Sequence, residues 1–145
     1  MVDVSGKPFS KRRAIARGKI HLQQDTLDLI EKDQIAKGDV FAAARIAGIQ
    51  AAKQTAQLIP LCHVLPLGQV SIDIVVSKDG AEVKCTADTI AQTGVEMEAL
   101  VGVIGALLTI YDMCKAVDKE MAITGVHLVE KTKQLVRGTV MEKSR

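Results

Sequence analysis

The sequence predicts a single α+β domain in which helices pack on one face of an antiparallel sheet. Three observations favour this class: a hairpin over 69–89, a long apolar helix over 95–118, and the order of the elements. That order is strand, strand, helix, helix, strand, strand, helix, strand. Helices separated by hairpins are typical of one sheet covered by helices on one side. The 145 residues are enough for one domain with one core.

The first half of the chain predicts two extended segments and two helices. "MVDVS" at 1–5 predicts a short strand, and the loose alternation of "RRAIARGKIHL" at 12–22 predicts a second. Asp25 is placed to cap a short amphipathic helix that begins at "TLDLIEKD". Asp39 is expected to cap a longer helix that ends near residue 57, before Pro60.

The second half predicts a hairpin, a helix and a final strand. "QVSIDIVVS" (69–77) and "AEVKCTADT" (81–89) alternate polar and apolar residues on either side of the turn "KDG". A helix over 95–118 and a strand over 122–132 follow, and 133–145 is expected to form a flexible tail within the single domain 1–145. Together these elements favour a ferredoxin-like antiparallel sheet with helices packed on one face.

Composition and charge exclude several classes of protein. With no Trp, one Tyr and two Phe, the core must consist of small and aliphatic residues, and a mean hydropathy of +0.18 predicts that a second subunit covers some apolar surface. Three scattered cysteines argue against a disulfide framework and against a zinc cluster. The start lacks the apolar stretch of a signal peptide, and the longest apolar run, 99–110, is short for a bilayer. We expect a soluble, cytoplasmic protein with no membrane partner.

The net charge of +2 with mixed signs does not indicate a nucleic-acid surface, except for one basic stretch over 11–19. That stretch has two interpretations from the pattern alone: a solvated strand face or an anion site. A nucleic-acid-binding module is further disfavoured because the predicted hairpin lacks the exposed aromatic residues that stack on bases.

The long helix places charged residues at the edges of an apolar stretch. Asp112 and Lys115 are three residues apart and therefore neighbours on one face. Glu98 precedes Asp112 by fourteen residues, which leaves the two about 40° apart around the axis. An unpaired buried charge is costly, so the pattern indicates either a structural ion pair or a pocket suited to acid–base chemistry.

Two lysines bracket the second long helix. Lys37 stands just before its N-terminus, where free N–H groups favour anions, and Lys53 stands near its end. Ordinary surface lysines are the alternative. "KGDV" at 37–40 is not a Walker motif, because the glycine-rich loop and the Lys-Ser/Thr pair are absent.

The segment "LIPLCHVLPL" (58–67) contains Cys62 and His63 between two prolines. Adjacent side chains of an extended segment point to opposite sides, which argues against a nucleophile–base pair or a shared metal ion. A buried core segment and a rigid loop that presents His63 to a ligand both remain open.

Several of these stretches resemble one known family. "ARIAGIQAAK" (44–53), "LIPLCH" (58–63), "GVEMEAL" (94–100) and "IYDMCKAV" (110–117) are specific motifs, and the similarity covers residues 1 to about 131. They resemble the molybdenum cofactor biosynthesis protein C family, the cyclic pyranopterin monophosphate synthases.

The resemblance implies a ferredoxin-like subunit that assembles as a homohexamer, a trimer of dimers, with active sites at subunit interfaces. The implied reaction converts a GTP-derived substrate, 3',8-cyclo-7,8-dihydroguanosine triphosphate, to cyclic pyranopterin monophosphate and pyrophosphate. The sequence shows no dedicated cluster of metal ligands, so we expect no required cofactor; Mg²⁺ is compatible with the substrate phosphates.

The resemblance also implies roles for individual residues. Asp112 matches the catalytic acid–base position, and Lys37 and Lys115 match catalytic lysines; a lysine of lowered pKa would assist proton transfer. The implied substrate-binding residues are Leu61, Cys62, His63, Met97, Glu98, Lys53, Arg12 and Lys131.

One region departs from the family pattern. A glycine-rich tail with two lysines is usual after the last strand, whereas this chain has "KTKQLVRG" at 131–138. Lys131 remains, and Lys133 or Arg137 is expected to replace the second lysine. Val64 stands where a proline is frequent. The altered tail leaves open a second hypothesis, a nucleotide-binding oligomer without turnover.

Overall fold

The computed structural model describes residues 1–136. This part of the chain contains four strands and four helices. Their bounds are β1 Ser10–His21, α1 Gln24–Glu31, α2 Val40–Lys53, α3 Thr55–Leu58, β2 Leu67–Ser77, β3 Gly80–Ala91, α4 Glu96–Cys114 and β4 Ala122–Leu135.

The four strands form one sheet in the order β2-β3-β1-β4, and each neighbouring pair is antiparallel. β2 and β3 form the predicted hairpin, and β1 lies between β3 and β4. This order is that of a ferredoxin-like sheet, so the predicted fold class is confirmed.

Alternation along the central strands sends small residues to one face of the sheet. In β1, Ala14, Ala16 and Ile20 are buried, and the cluster that forms the core continues with Val83 and Cys85 of β3. α4 crosses this face and contributes ten buried residues. α4 is long and apolar enough to match a membrane span by length and composition, but it packs inside the fold as a core helix.

The opposite face of the sheet is charged, and its charges are paired across strands. Arg13 binds Asp88 through two hydrogen bonds of 2.7 and 2.9 Å, and Arg17 and Lys19 contact Glu82 and Asp79. Most of the basic stretch over 11–19 therefore forms a solvated strand face, which was one of its two interpretations.

Helices α2 and α4 run antiparallel and touch along a stripe of glycines. A Cβ atom at Gly48 would lie 2.8 Å from the Gly102 carbonyl oxygen, and one at Gly105 would lie 2.5 Å from Ala51 Cβ. Both separations are shorter than ordinary contacts, so the backbones approach more closely than alanine permits. The close contact fixes how the ends of the two helices face each other.

The expected strand at 1–5 is wrong. Residues 1–5 make no ladder with the sheet, and β1 begins at Ser10. Alternation alone does not make a strand when no partner backbone is available. Side chains of the folded body bind the carbonyl groups of this segment instead, as described below.

Other bounds shift by a few residues. The second helix stops at Lys53 and a separate short turn, α3, follows; α4 ends at Cys114. The last strand continues to Leu135, where it pairs with Ser10. Residues 133–135 therefore belong to β4 rather than to the expected tail, and Arg137 and the rest of 137–145 lie outside the described residues.

Asp39 caps α2 as predicted: its side chain accepts a hydrogen bond of 3.1 Å from the Ala42 N–H. The expected cap at Asp25 is wrong, because α1 begins two residues earlier than expected, at Gln24, and Gln23 occupies its N-cap position without a side-chain bond. Asp118 caps the start of α1 instead. Its carboxylate accepts hydrogen bonds of 2.9 Å from the Gln23 N–H and from the Thr26 hydroxyl.

Asp118 also accepts a bond of 3.0 Å from the Glu120 N–H and is only 3% exposed. Burial alone raises the pKa of Asp118, but the bonds from Gln23, Glu120 and Thr26 outweigh it, and the pKa lies below its ordinary value. The ionised carboxylate therefore ties the loop after α4 to the start of α1.

We predict that Asp118→Ala lowers the free energy of unfolding by about 2 kcal/mol, because it leaves buried donors without an acceptor. Asp25→Ala, the control, should cost no more than about 0.5 kcal/mol, since it removes only a charge in the first turn. Urea unfolding at neutral pH measures both. Equal losses for the two variants would contradict the assignment of the cap.

The same carboxylate has a calculable pH dependence. Its folded-state pKa is depressed, so its contribution is complete above the unfolded-state pKa of about 3.9 and is lost as the pH falls through the folded-state pKa. The difference in stability between the parent and Asp118→Ala should therefore shrink in acid.

Candidate functional site

Lys37, Asp112 and Lys115 meet where the start of α2 faces the end of α4. Lys37 Nζ lies 2.7 Å from Asp112 Oδ2, and Lys115 Nζ lies 2.8 Å from Asp112 Oδ1. We call these three residues the lysine–aspartate cluster. Each side chain is about half exposed, so the cluster is open to a ligand.

Local structure explains this arrangement. Lys37 precedes Gly38, whose φ of +107° is accessible to glycine and lets the chain turn into the Asp39 cap of α2. Asp112 and Lys115 lie one turn apart at the end of α4. The antiparallel packing of α2 against α4 then places Lys37 on the other side of the carboxylate.

The cluster favours the charged forms of Asp112 and Lys115. Hydrogen bonds from Lys115 and then Lys37 lower the pKa of Asp112 to about 2. The bond to Asp112 in turn raises the pKa of Lys115 above its ordinary value. For Lys115, this is the opposite of the lowered lysine pKa that the resemblance led us to expect, because its carboxylate partner stabilises the ammonium form.

A second group of predicted residues lies at the other end of α4. Lys53, His63 and Glu98 line one small cavity together with apolar and hydroxyl side chains of α2, α3 and the loop before β2. Glu98 is only 5% exposed, and burial raises its pKa, with a further contribution from the charge of Glu96. The cavity therefore contains a carboxyl group that is protonated more readily than usual.

The loop "LIPLCHVLPL" supplies part of this region. Leu61 is exposed, Cys62 is half-buried, and Met97 is at the border of exposure on α4. Burial and the nearby Glu98 charge raise the pKa of the Cys62 thiol, so it is a poor nucleophile. His63 Nε2 lies 2.7 Å from the carbonyl oxygen of Val2.

A third group surrounds a cavity of about 220 Å³ beside the start of α4. Arg12, Lys131, Lys133 and Glu96 line it, and Lys131 Nζ lies 3.7 Å from Glu96 Oε1. Lys133 is opposite Arg12 in the β1–β4 register, so the continuation of β4 brings it to the same cavity. Arg12 Nη2 donates a 3.3 Å bond to the Gln92 carbonyl oxygen, and its buried Nε has no partner among the described residues.

One copy of the chain does not bring all predicted site residues together. Fourteen residues of α4 separate Glu98 from Asp112, which is a distance of about 21 Å along the axis. The lysine–aspartate cluster lies at one end of α4, and the two cavities lie at the other. The expected common face of Glu98 and Asp112 is therefore compatible with a single site only if another copy contributes one of them.

One residue near the cavities, Gln92, was missed by the sequence analysis. It follows β3 and donates two side-chain bonds to the segment before β1. Gln92 lies in no periodic pattern or motif that would have indicated this role. Within residues 1–136, no group of three or more His, Cys, Asp or Glu side chains is arranged to hold a metal ion.

Comparison with known proteins adds an independent observation. Residues 1–134 match the model of the MoaC family. A cyclic pyranopterin monophosphate synthase of Thermomicrobium roseum is 51% identical over 90% of this chain and 80% of the relative, and one of Novosphingobium aromaticivorans is 56% identical over 90% and 83%. A molybdenum cofactor biosynthesis bifunctional protein of Chlorobaculum tepidum is 52% identical over 91% of this chain and 42% of the relative.

We predict that the two lysines jointly set the pKa of Asp112. Lys37→Met and Lys115→Met should each raise it from about 2, and the double variant should bring it close to the ordinary value of about 3.9. Carboxyl-carbon NMR during a pH titration measures this pKa. Lys32→Met, which changes an exposed lysine at the end of α1, is the matched control. A pKa that stays near 2 in the double variant would contradict the cluster geometry.

Proposed function

The chain belongs to the MoaC family, and we propose on that basis that it is a cyclic pyranopterin monophosphate synthase of molybdenum cofactor biosynthesis. Its substrate is 3',8-cyclo-7,8-dihydroguanosine triphosphate, and its products are cyclic pyranopterin monophosphate and pyrophosphate. The observation that carries the proposal is the contact of Asp112 with both Lys37 and Lys115, two motif lysines brought to one carboxylate.

The lysine–aspartate cluster is suited to proton transfer and charge stabilisation. Opening and reclosing a purine-derived ring requires protons to be moved, and Asp112 is the acid–base group in this proposal. Cyclic phosphate formation joins a substrate hydroxyl oxygen to the α-phosphorus and breaks the bond from that phosphorus to pyrophosphate. Negative charge builds on the oxygen of the departing pyrophosphate. Lys37 and Lys115 are fixed cations that stabilise such charge.

The cavity beside the start of α4 supports a phosphate-binding role for Arg12 and Lys131. Arg12 has an unused buried donor, and Lys133 adds a third cation at the same cavity. In this proposal Lys133 replaces the second lysine of the usual family tail. Its place on β4, rather than on a glycine-rich segment, gives it a fixed position.

The Glu98 carboxyl supports recognition of the base from the wall of a cavity of about 30 Å³, which is too small to enclose a ring. When ionised, this carboxyl group accepts a hydrogen bond from an N–H of a guanine-like ring, and when protonated it donates one to a carbonyl group of that ring. Lys53 and His63 add polar contacts, while Leu61, Cys62 and Met97 contribute shape and apolar surface.

We further propose that the active site is completed at a subunit interface of a homohexamer built as a trimer of dimers. The separation of about 21 Å between Asp112 and Glu98 along α4 supports this. So does the exposure of Ile104 and Leu108 on α4, which are large apolar side chains at a spacing of one helical turn.

The proposal includes no resident cofactor, with Mg²⁺ entering only with the substrate phosphates. We place the protein in the cytoplasm, without a nucleic-acid or membrane partner. The pairing of the basic stretch with carboxylates on the open sheet face supports the first exclusion, and the packing of α4 in the core supports the second.

Purified protein supplied with the cyclised GTP intermediate should release pyrophosphate and form the cyclic pyranopterin. Asp112→Asn and Lys37→Met should each lower kcat at least about 100-fold, because each removes a group that acts in the transition state. Lys32→Met should stay within about twofold, as expected for an exposed lysine outside the site. Nucleotide binding without turnover in the parent protein would instead favour the hypothesis of an idle binding oligomer.

Mixed assemblies test the interface site. Asp112→Asn and Glu98→Gln subunits, each inactive alone, should regain activity when co-assembled, up to about a quarter of the parent for sites shared by two subunits. Asp112→Asn mixed with Lys37→Met is the matched control. It should regain nothing, because these two residues touch within one chain. Mixed assemblies no more active than their parents would contradict a shared site.

A further inference from the structure

Residues 1–7, which we call the N-terminal strap, lie against the body without joining the sheet. The strap is folded by its own turn: Asp3 Oδ1 accepts hydrogen bonds of 2.8 and 2.6 Å from the Ser5 N–H and hydroxyl. A bond of 3.0 Å from the Lys7 N–H to the Val4 carbonyl closes the turn. The strap therefore has a defined shape although it has no ladder partner.

Two side chains of the body hold the strap by its carbonyl groups. The Gln92 amide donates bonds of 2.8 Å to the Ser5 carbonyl and 3.0 Å to the Lys7 carbonyl. His63 contacts the Val2 carbonyl oxygen at 2.7 Å. The strap thus runs between Gln92, which follows β3, and His63 of the "LIPLCH" segment.

The contact with Val2 determines which ring nitrogen of His63 carries a proton. A carbonyl oxygen only accepts hydrogen bonds, so Nε2 must be the donor. In the neutral imidazole, Nδ1 is then left with its lone pair and can only accept. The strap therefore selects the tautomer and fixes the orientation of the ring.

Gln92 connects the strap to the proposed phosphate site as well. Its backbone carbonyl accepts the 3.3 Å bond from Arg12, while its side chain holds the strap. A cavity of about 390 Å³ lies between the strap, His63 and Gln92. This is large enough for part of a nucleotide.

We propose that the N-terminal strap is a wall of the substrate site, that it holds His63 with Nε2 as donor and Nδ1 as acceptor, and that Gln92 is the positioning residue that holds the strap. His63 then accepts a hydrogen bond from an N–H group of the guanine-derived base. This last step rests on the proposed function, whereas the hold of the strap on His63 does not.

Ring-nitrogen NMR at about pH 8.5, where an ordinary imidazole is neutral, tests directly whether His63 Nε2–H donates a hydrogen bond to the strap. The full chain should show a His63 Nε2–H proton that is protected from exchange with water, assigned by its absence in His63→Gln. The protection should be lost in Gln92→Leu and in a variant that starts at Lys7. Gln24→Leu, which removes an exposed amide that donates one bond to Asp28, should keep the signal.

Binding of GTP, as a probe for the GTP-derived substrate, tests the consequence. Gln92→Leu should weaken the Kd for GTP by about five- to tenfold, the effect of one misplaced hydrogen bond, and should raise KM more than it lowers kcat. A purely structural role would lower the unfolding free energy while the Kd for GTP stayed unchanged, and that result would overturn the positioning role.

The two proposals fail in different ways. An active enzyme without a protected Nε2–H signal, or with one that survives removal of residues 1–6, would overturn the strap assignment and leave the proposed function intact. A protein with the strap-dependent signal but no turnover would overturn the proposed function, and with it the role of His63 toward substrate. The strap would still hold the imidazole in that case.

Discussion

The close contact of α2 with α4 is the constraint on which the rest of the structure depends. Gly48 and Gly105 let the two helices approach until a Cβ atom added at either position would lie within 3 Å of the facing helix. Because the helices run antiparallel, the contact brings Lys37 to Asp112 at one end and Lys53 to the Glu98 cavity at the other. A wider helix pair would separate both sets. Each glycine destabilises its helix by about 1 kcal/mol relative to alanine, but the close contact between the helices leaves no room for a larger residue.

The length of α4 has a second consequence. Helices curve only gently, so positions fourteen residues apart on one helix do not come into contact. The lysine–aspartate cluster and the buried Glu98 therefore remain in separate surroundings. Those surroundings act on carboxyl groups in opposite directions: flanking lysines lower the pKa of Asp112 to about 2, whereas burial raises that of Glu98. In the free protein, the two ends of one helix thus supply a carboxylate that is ionised at neutral pH and a carboxyl group that is protonated more readily than usual. A reaction that needs both charge stabilisation and hydrogen bonding to a base can use each.

The parts of the fold that sequence predicted are those governed by local periodicity. The hairpin, the apolar helix and the Asp39 cap all depend on neighbours within a few residues. The errors arise where a partner comes from far along the chain. Asp118 caps α1 from more than ninety residues away, and the carbonyl groups at 1–7 bind Gln92 and His63 rather than a strand. The candidate residues were found through motif resemblance, which also implied active sites at subunit interfaces, and the spacing of fourteen residues already corresponds to about 21 Å along a helix. Neither motif nor spacing indicated that Asp112 raises the pKa of Lys115.

The electrostatics of the cluster also constrain how Asp112 acts in the proposed reaction. A carboxylate with a pKa of about 2 is a weak base at neutral pH. The groups that depress this pKa are two half-exposed ammonium ions, and a triphosphate binds such ions more strongly than one carboxylate does. Each lysine that turns toward phosphate withdraws a hydrogen bond from Asp112, and the pKa of Asp112 then rises toward its ordinary value. On this argument the substrate itself adjusts the basicity of Asp112, and Lys37 and Lys115 serve both the phosphates and the proton transfer.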